Sequence, residues 1–359
     1  MKFQKEIFIN DRKIGFNSPT YFIADIAANH DGDIERAKSL IYLVKEMGGD
    51  AVKFQHHNVE KYVSDLGFKS LGNKFSHQKS WNKTIFEVYK DAEVPVEWTP
   101  ILKKYCDEIG ISFFSTPYDL DMIDHLNPYV SAFKVGSGDI NRDDMLIKMA
   151  LTDKPVLFAC GASTMDEVKH AVNTLSVHTP KIVLMQCNTN YTASIENFKY
   201  INLNVLNSFK KLFPDLILGL SDHTPGSITA LGSVALGARV IEKHFTDDND
   251  RQGPDHKFSM NPKSWAEMVK NVKILEQSLG DSVKKVEENE KETLILQRRA
   301  IRVIKDLSKG TVISRQNIEF QRPAPSDCFS PNDFDKLNKK RLKHDIKKGD
   351  YLKYENFDW

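Results

Sequence analysis

The feature that most restricts the fold of this chain is a regular alternation of short apolar runs with amphipathic segments. The segments between the runs, such as 33–47, carry apolar residues at helical spacing. Apolar strands that alternate with helices indicate a parallel sheet covered on its faces. Eight strand–helix units in about 250 residues match a (β/α)8 barrel, with an open, doubly wound sheet as the alternative. The apolar runs are 21–27, 51–55, 111–117, 132–138, 155–161, 181–187, 216–223 and 238–246.

Composition excludes several classes of protein. Hydrophobic residues make up 40% of the chain and charged residues 28%, which is ordinary for a globular protein. The net charge of +1 provides no field for nucleic acid or an anionic membrane. The sequence shows neither the apolar segment of a signal peptide nor a membrane span. The four cysteines are far apart and form no CxxC pair, so we expect reduced thiols in a cytoplasmic enzyme.

Two regions depart from the alternation. Residues 56–95 are polar and aromatic and are too long for a βα loop, which predicts either an active-site insertion or a surface excursion. Residues 278–297 are charge-rich and predict an exposed helical linker. The predicted domains are therefore a barrel over 1–277, this linker, and a small β-rich module over 298–359.

The small module contains an internal repeat. Residues 306–320 and 345–359 carry Asp, Gly and Asn at the same offsets, 39 positions apart. Each copy predicts a turn, with Gly where the backbone needs an unusual φ, that leads into a short strand. The repeat therefore predicts a module with approximate two-fold symmetry.

Polar and ionisable side chains cluster where the predicted strands end. The carboxyl ends of the strands carry the active site in a (β/α)8 barrel, so we expect these side chains to share one site. They are Asp25, Lys53, Gln55, Ser115, Thr116, Lys134, Ser137, Asp139, Ser221, Asp222, His223, Glu242, Lys243 and His244.

Strands seven and eight predict a metal site. Side chains alternate along a strand, so Glu242 and His244 share one face while Lys243 points to the other. Neighbouring strands lie about 5 Å apart, and His223 and His244 can therefore reach one divalent cation. Two imidazoles with open positions suit manganese, cobalt, iron or zinc, and Asp255 in "GPDH" is a further ligand or acts through water. The alternative is that each histidine is only hydrogen-bonded in the barrel mouth.

Lys53 and Lys134 predict an anion site. Two ammonium groups among hydroxyls and glycine-rich turns form a receptor for a phosphorylated carboxylate. The alternative is that they pair with Asp25 or Asp139, and the two arrangements are compatible. Neither GxGxxG nor GxxxxGK[ST] occurs, so the sequence has no nucleotide-binding motif.

Taken together, these stretches resemble the sialic acid synthases, which make N-acetylneuraminic, legionaminic and pseudaminic acids. The matching segments are "IADIAANHDGD", "DAVKFQ", "FFSTPYD", "FKVGSGDI", "GLSDHTPG", "EKHFT" and "GPDHKFSM". The terminal module, with "QRRAIRVIKDLSKG" and "QRP", resembles the antifreeze-like (SAF-type) domain of those enzymes. The resemblance implies that phosphoenolpyruvate (PEP) condenses with an N-acylated aminohexose to give a nonulosonic acid and phosphate. The hexose that the resemblance implies is N-acetylmannosamine or a 2,4-diacetamido-trideoxyhexose.

The resemblance also implies residue roles. His223 and His244 match the metal ligands, most often for Mn²⁺, with Mg²⁺ or Co²⁺ as alternatives. Asp25, Asp139 and Asp255 match catalytic acidic positions, although the family usually has Glu at the first two. Arg322 matches an arginine that a partner subunit delivers to the sugar's N-acyl group in a domain-swapped homodimer. The residues that match substrate-binding positions are Lys53, Gln55, Thr116, Lys134, Ser137, Tyr191 and Ser221.

Two other functions stay open. One is a related PEP-dependent synthase of 3-deoxy-2-keto sugar acids, a group that generally lacks the antifreeze-like tail. The other is a relative whose barrel is catalytically inactive and whose C-terminal module binds carbohydrate or a partner.

Overall fold

The computed structural model describes residues 3–74, 78–79 and 81–359, and its centre is a closed barrel of eight parallel strands. Each barrel strand overlaps one of the eight apolar runs, so the predicted barrel is confirmed and the open sheet is wrong. The barrel strands run in chain order, and β10 closes on β3. The strands are β1 Glu6–Ile9, β2 Arg12–Gly15, β3 Tyr21–Asp25, β4 Ala51–His56, β5 Ser112–Pro117, β6 Phe133–Val135, β7 Val156–Ala159, β8 Ile182–Cys187, β9 Ile217–Asp222, β10 Val240–His244, β11 Ala300–Val303 and β12 Ile318–Gln321.

The helices that connect successive barrel strands pack apolar residues against the outside of the barrel. In α1, Ala37, Leu40, Ile41 and Val44 are buried at helical spacing, and the Asp33 side chain caps the first turn by accepting from backbone N–H groups. The helices are α1 Ile34–Glu46, α2 Val59–Tyr62, α3 Asp65–Ser70, α4 Ile85–Asp91, α5 Trp98–Ile109, α6 Leu120–Leu126, α7 Asp143–Ala150, α8 Met165–Ser176, α9 Val205–Leu212, α10 Ile228–Ala235, α11 Pro262–Leu279, α12 Lys291–Gln297 and α13 Phe334–Leu337.

The barrel interior is filled from one end. Ile7, Ile9 and Ile14 of the antiparallel β1–β2 hairpin belong to the same buried cluster as Tyr21 and Ala51, which begin β3 and β4. The hairpin therefore packs at the amino-terminal end of the strands. The buried ionisable side chains on the barrel strands, such as Asp25, Lys53, Lys134 and Glu242, lie toward the opposite, carboxyl-terminal end, which is the end available to a ligand.

The chain divides into two compact units, 1–280 and 281–359. The predicted linker over 278–297 is not helical throughout: α11 ends at Leu279, and helical structure returns only with a 3₁₀ helix over Glu288–Glu290 and with α12. Gly280 has φ +63°, and the Asp281 side chain accepts a hydrogen bond from the Val283 N–H, so the chain turns after α11 instead of continuing as a helix.

Within the second unit, the two copies of the repeat, 306–320 and 345–359, adopt matching turns. Leu307 and Ile346, which are 39 positions apart, exchange both backbone hydrogen bonds at 2.9 and 2.8 Å. Gly310 and Gly349 occupy matching turns with φ +82° and +90°, a conformation that suits glycine. The repeat in the sequence thus corresponds to approximate two-fold symmetry, in which a short 3₁₀ helix follows each turn.

In the described part of the chain, no helix is both long and apolar enough to span a membrane.

Candidate active site

The site residues predicted in the barrel lie at the carboxyl ends of its strands. Arg322 belongs to the second unit, where it is exposed and its Nε donates to the Gln297 carbonyl oxygen at 2.6 Å. Its role in a partner subunit stays a prediction. The other predicted residues are Asp25 on β3, Lys53 and Gln55 on β4, Thr116 on β5, Lys134 on β6, Ser137 and Asp139 just after β6, Tyr191 after β8, Ser221 on β9, His223 after β9, His244 on β10 and Asp255 beyond it.

Lys53 is the centre of a buried network. Its Nζ lies 2.6 Å from Oδ2 of Asp25 and 3.4 Å from Oγ1 of Thr116. The Gln55 side-chain amide donates to the same Asp25 oxygen at 3.0 Å. Burial opposes the charge on Lys53, but Asp25 and Glu242 together hold its pKa above the usual value. The sequence analysis gave an ion pair between Lys53 and Asp25 as an alternative, and the structure contains this pair.

Glu242 is a site residue that the sequence reasoning left without a role. Its Oε1 lies 3.1 Å from Lys134 Nζ, 3.8 Å from Lys53 Nζ and 3.2 Å from Ser221 Oγ. Lys134 therefore pairs with Glu242 rather than with Asp25 or Asp139. The other oxygen of Glu242, Oε2, is buried and has no hydrogen-bond partner in the described residues. The sequence did indicate that Glu242 belongs to the site, because it lies two residues before His244 and therefore on the same face of the strand.

The next residue along β10 belongs to a different network. Lys243 is 1% exposed and pairs with Asp222, and its Nζ also donates to the Thr224 carbonyl oxygen at 2.7 Å. The Asp222 carboxylate further accepts from Thr229 of α10 at 2.6 Å. Burial raises the pKa of Asp222, but Lys243 and the hydroxyls outweigh it and lower that pKa. This pair joins the strands to α10 and faces away from the site.

His223 and His244 lie side by side, with ring centroids 5.3 Å apart. Nδ1 of His223 is 2.8 Å from the Asn188 carbonyl oxygen, which only accepts, so Nδ1 carries the proton and Nε2 keeps its lone pair. Nε2 of His244 lies 3.5 Å from Asp25, and its Nδ1 is buried without a hydrogen-bond partner in the described chain. Burial lowers the pKa of both rings, so both are neutral, the form that binds a metal.

These donors fit an open catalytic metal site. Within the described ranges, no three His, Cys, Asp or Glu side chains form a ready-made metal cage. Two neutral imidazoles leave coordination positions for water and substrate, as catalytic sites require. Nδ1 of His244 is buried and has no hydrogen-bond partner among the described residues, so its lone pair could coordinate a cation. Burial, with a smaller contribution from the Asp25 charge, raises the pKa of Asp255 to about 7, although the Ala28 N–H, which donates to its carboxylate at 3.2 Å, and Lys53 both act to lower that pKa.

Ser137 and Asp139 follow β6 in a short 3₁₀ helix. Oγ of Ser137 accepts from the Gly161 N–H at 2.9 Å. A Cβ on Gly161 would lie 2.5 Å from Thr189 Cγ2 and 3.0 Å from Ser137 Oγ, so only glycine fits this approach. Burial raises the pKa of Asp139 to about 6, and Arg142 opposes that rise.

Above the histidines lies an inner cavity of about 140 Å³ that the insertion helps to line. The insertion forms α2, α3 and α4 and supplies Tyr62, Trp81 and Tyr89 to the cavity wall. Tyr191 packs on His223, with ring centroids 4.2 Å apart. The described residues of 56–95 therefore agree with the prediction of an active-site insertion. Residues 75–77 and 80 of this segment lie outside the described part of the chain. The aromatic content of this segment was the only signal for the wall.

Comparison with protein families gives two matches. The model of the NeuB family matches residues 40–284, and the model of the SAF domain matches residues 298–358.

Comparison with individual proteins gives relatives of similar length. The N,N′-diacetyllegionaminic acid synthase of Campylobacter jejuni is 33% identical over 85% of this chain and 91% of its own. The N-acetylneuraminate-9-phosphate synthase of Homo sapiens is 34% identical over 77% and 75%. A crystal structure of the N-acetylneuraminic acid synthetase of Leptospira borgpetersenii, in complex with citrate, superposes with a TM-score of 0.70 at 28% identity. It covers 82% of this chain and 96% of that one.

Proposed function

Because this chain belongs to the NeuB family, we propose that it condenses PEP with an N-acylated aminohexose to give a nonulosonic acid and phosphate. The observation that carries the proposal is a buried pair of lysines beside two neutral histidines at the open end of the barrel. Lysines suit the anionic substrate, and histidines suit a cation that activates the sugar.

The lysine network supports PEP binding. Lys53 and Lys134 are 2% and 3% exposed, and each is held by a carboxylate, Asp25 or Glu242. Thr116 and Ser221 add hydroxyls within reach of these groups. PEP carries a phosphate and a carboxylate. When PEP binds, these groups supply the two lysines with the negative charge that Asp25 and Glu242 otherwise supply. The ion pairs with Asp25 and Glu242 keep both ammonium groups positioned for the substrate.

We propose Mn²⁺ as the cofactor, with Mg²⁺ or Co²⁺ as alternatives, held by His223 and His244. When bound, such a cation polarises the sugar's carbonyl group as a Lewis acid. The Nδ1 proton of His223, held by the Asn188 carbonyl oxygen, fixes its ring with Nε2 as the donor. Tyr191 and Phe258 pack on the two rings and fix their orientation.

Asp25 is the proposed catalytic carboxylate. C3 of PEP attacks the sugar's carbonyl carbon, and positive charge develops at C2 of PEP. The Asp25 carboxylate, next to Lys53 and Gln55, stabilises that charge and takes a proton from the water that adds at C2. The proton that Asp25 takes passes to the sugar oxygen, which becomes a hydroxyl; the bond between C2 and the bridging oxygen of the tetrahedral intermediate then breaks, and phosphate leaves with the proton of the C2 hydroxyl, so that a 2-keto acid remains.

We further propose that two chains share each site, with Arg322 of one subunit placed over the sugar of the other. Arg322→Ala and His244→Ala homodimers are then nearly inactive, but a mixture that is unfolded and refolded together regains activity. A mixed dimer contains one site with both residues intact. A refolded mixture that stays inactive contradicts sharing.

The test of the function is phosphate release from PEP in the presence of Mn²⁺ and a sugar. The sugars are N-acetylmannosamine, its 6-phosphate and 2,4-diacetamido-2,4,6-trideoxyhexoses. Release should require a sugar, stop with EDTA and return with Mn²⁺. His244→Ala should abolish it, while His170→Ala, which removes an exposed imidazole on α8, should not. Absence of sugar-dependent release with every sugar contradicts the function.

A further inference from the structure

The loop that follows β10, residues 246–259, carries Asp255 and is attached to the turn that follows β3. We propose that His256 is a positioning residue that is anchored on Asp31 and holds Asp255 beside Asp25 for the reaction. This inference rests on the proposed condensation. It adds a residue that acts through another side chain and does not itself touch the substrate.

The turn after β3 brings two carboxylates together. The Ala27 N–H donates to Oδ1 of Asp25 at 3.1 Å, and the next N–H along the chain, that of Ala28, donates to Oδ2 of Asp255 at 3.2 Å. Ala27 and Asp31 have φ +46° and +51°, which residues other than glycine seldom adopt unless surrounding contacts hold them. The placement of Asp255 relative to Asp25 therefore depends on how the loop is attached to this turn.

Asp31 ends the turn and anchors the loop. Its Oδ1 lies 2.9 Å from Nε2 of His256, and its Oδ2 accepts from Nη2 of Arg251 at 2.8 Å. Nε of Arg36, in α1, lies 3.0 Å from the same Oδ2. Because a carboxylate only accepts, Nε2 of His256 carries its proton. Two side chains of the loop and one of the following helix thus meet at one carboxylate.

His256 is the buried member of this group. Its side chain is fully buried, and Nδ1 lies 2.7 Å from Oγ1 of Thr246, which is buried at the start of the loop. Gly253 packs so closely on the ring that a Cβ there would lie 2.6 Å from its Cδ2. The ring therefore connects the start of the loop to Asp31. Since Asp255 is the preceding residue, the position of the ring fixes the backbone from which Asp255 projects.

The loop has other bonds that do not use the imidazole. The Thr246 N–H donates to the Met260 carbonyl oxygen at 2.9 Å, which closes the base of the loop. Nδ2 of Asn249 donates to the backbone carbonyl oxygens at positions 256 and 259, at 2.8 and 2.7 Å. Replacing the imidazole should therefore loosen the attachment to Asp31 without unfolding the loop.

Asp255 lies where a small displacement matters. It lines the inner cavity together with Gln55 and His244, and the charge of Asp25 acts on it. A displacement of about 1 Å in a reacting group can cost about a hundredfold in rate. Loss of the imidazole should thus lower kcat. KM for PEP should not change, because the lysines proposed to bind PEP lie on β4 and β6.

Variants of His256 test the bond to Asp31, with phosphate release measured in the presence of PEP, Mn²⁺ and the preferred sugar. His256→Leu should lower kcat about ten- to a hundredfold with KM for PEP unchanged. His256→Gln places an amide N–H near the position of Nε2 and should restore most of kcat. Lys257→Ala removes an exposed side chain of the same loop and should change neither constant. Equal losses of kcat in the Leu and Gln variants overturn the role of this bond.

A double-mutant cycle with Asp255 distinguishes positioning from a general loss of stability. Asp255→Asn should lower kcat about a hundredfold. Adding His256→Leu should then lower kcat by less than about twofold more, because the carboxylate that His256 positions is already gone. Losses that multiply, or an unchanged kcat in Asp255→Asn, overturn this inference and leave the condensation intact. Native protein that releases no phosphate with any sugar overturns both.

Discussion

Replacing Glu242 with Gln tests whether this carboxylate belongs to the proposed anion site or only stabilises the barrel. The substitution keeps the shape of the side chain and removes its charge. Lys134, 3.1 Å away and 3% exposed, then loses its carboxylate. Lys53 retains Asp25 at 2.6 Å. The effect of the change therefore falls mainly on one buried ammonium group.

The size of the effect follows from that burial. Breaking a buried ion pair by removing one partner costs about 3–5 kcal/mol. In a unit of this size, we expect the melting temperature to fall on the order of 10 °C.

PEP should restore what Glu242→Gln removes, because the ligand's negative charge takes the carboxylate's place beside Lys134. At one hundred times its dissociation constant, a ligand adds about 2.7 kcal/mol of stability. Since part of the cost of the mutation is recovered on binding, the variant should also bind PEP more tightly than the native protein.

Thermal unfolding with and without PEP measures both effects, and Asp222→Asn is the matched control. Asp222 forms an equally buried pair with Lys243, but that pair faces α10 and not the site. Both variants should be destabilised without PEP, and the increase in melting temperature on adding PEP should be larger for Glu242→Gln. An equal increase in the two variants refutes the assignment of Lys134 and Glu242 to the anion site.

Three further predictions follow from the same network and from a buried histidine. Lys53→Met should raise KM for PEP about ten- to a hundredfold with little change in KM for the sugar, and an unchanged PEP value would make the lysine purely structural. Asp25→Asn should keep substrate binding while kcat falls by about a hundredfold or more; if kcat survives, Asp139 is the better candidate for the base. His30 has its pKa lowered to about 4 by burial, so the unfolded chain takes up the proton first. Stability should then fall by up to about 3 kcal/mol as the pH drops from 6.5 to 4, and urea unfolding of His30→Phe should show a shallower pH slope. Equal slopes would contradict that account.

Sequence periodicity predicted most of the barrel because each strand can be recognised from its own short stretch of the sequence. Continuous apolar runs located the strands, and alternation within β10 placed Glu242 and His244 on one face with Lys243 on the other. The proximity of His223 and His244 followed, since β9 and β10 are neighbours. These predictions needed only the order of the strands and the alternation of side chains along each strand, and the sequence contains both.

The remaining features depend on contacts between distant positions. Nothing near Lys134 in the sequence indicates that its partner is Glu242, 108 residues away, because barrel closure brings them together. The aromatic wall was equally hidden, since Tyr62, Tyr89 and Tyr118 meet only once short helices fold over the mouth. The symmetry of the second unit was predictable from its repeat, but the direct pairing of Leu307 with Ile346 was not.

The most direct test of the proposed condensation follows the bridging oxygen of PEP. PEP labelled with ¹⁸O between C2 and phosphorus is incubated with the protein, Mn²⁺ and the preferred sugar, and both products are analysed by mass spectrometry. If water adds at C2 and the intermediate expels phosphate, the label leaves with phosphate, and the other product is a 2-keto acid three carbons longer than the sugar. Label retained in the keto acid, or pyruvate with unchanged sugar, contradicts the account.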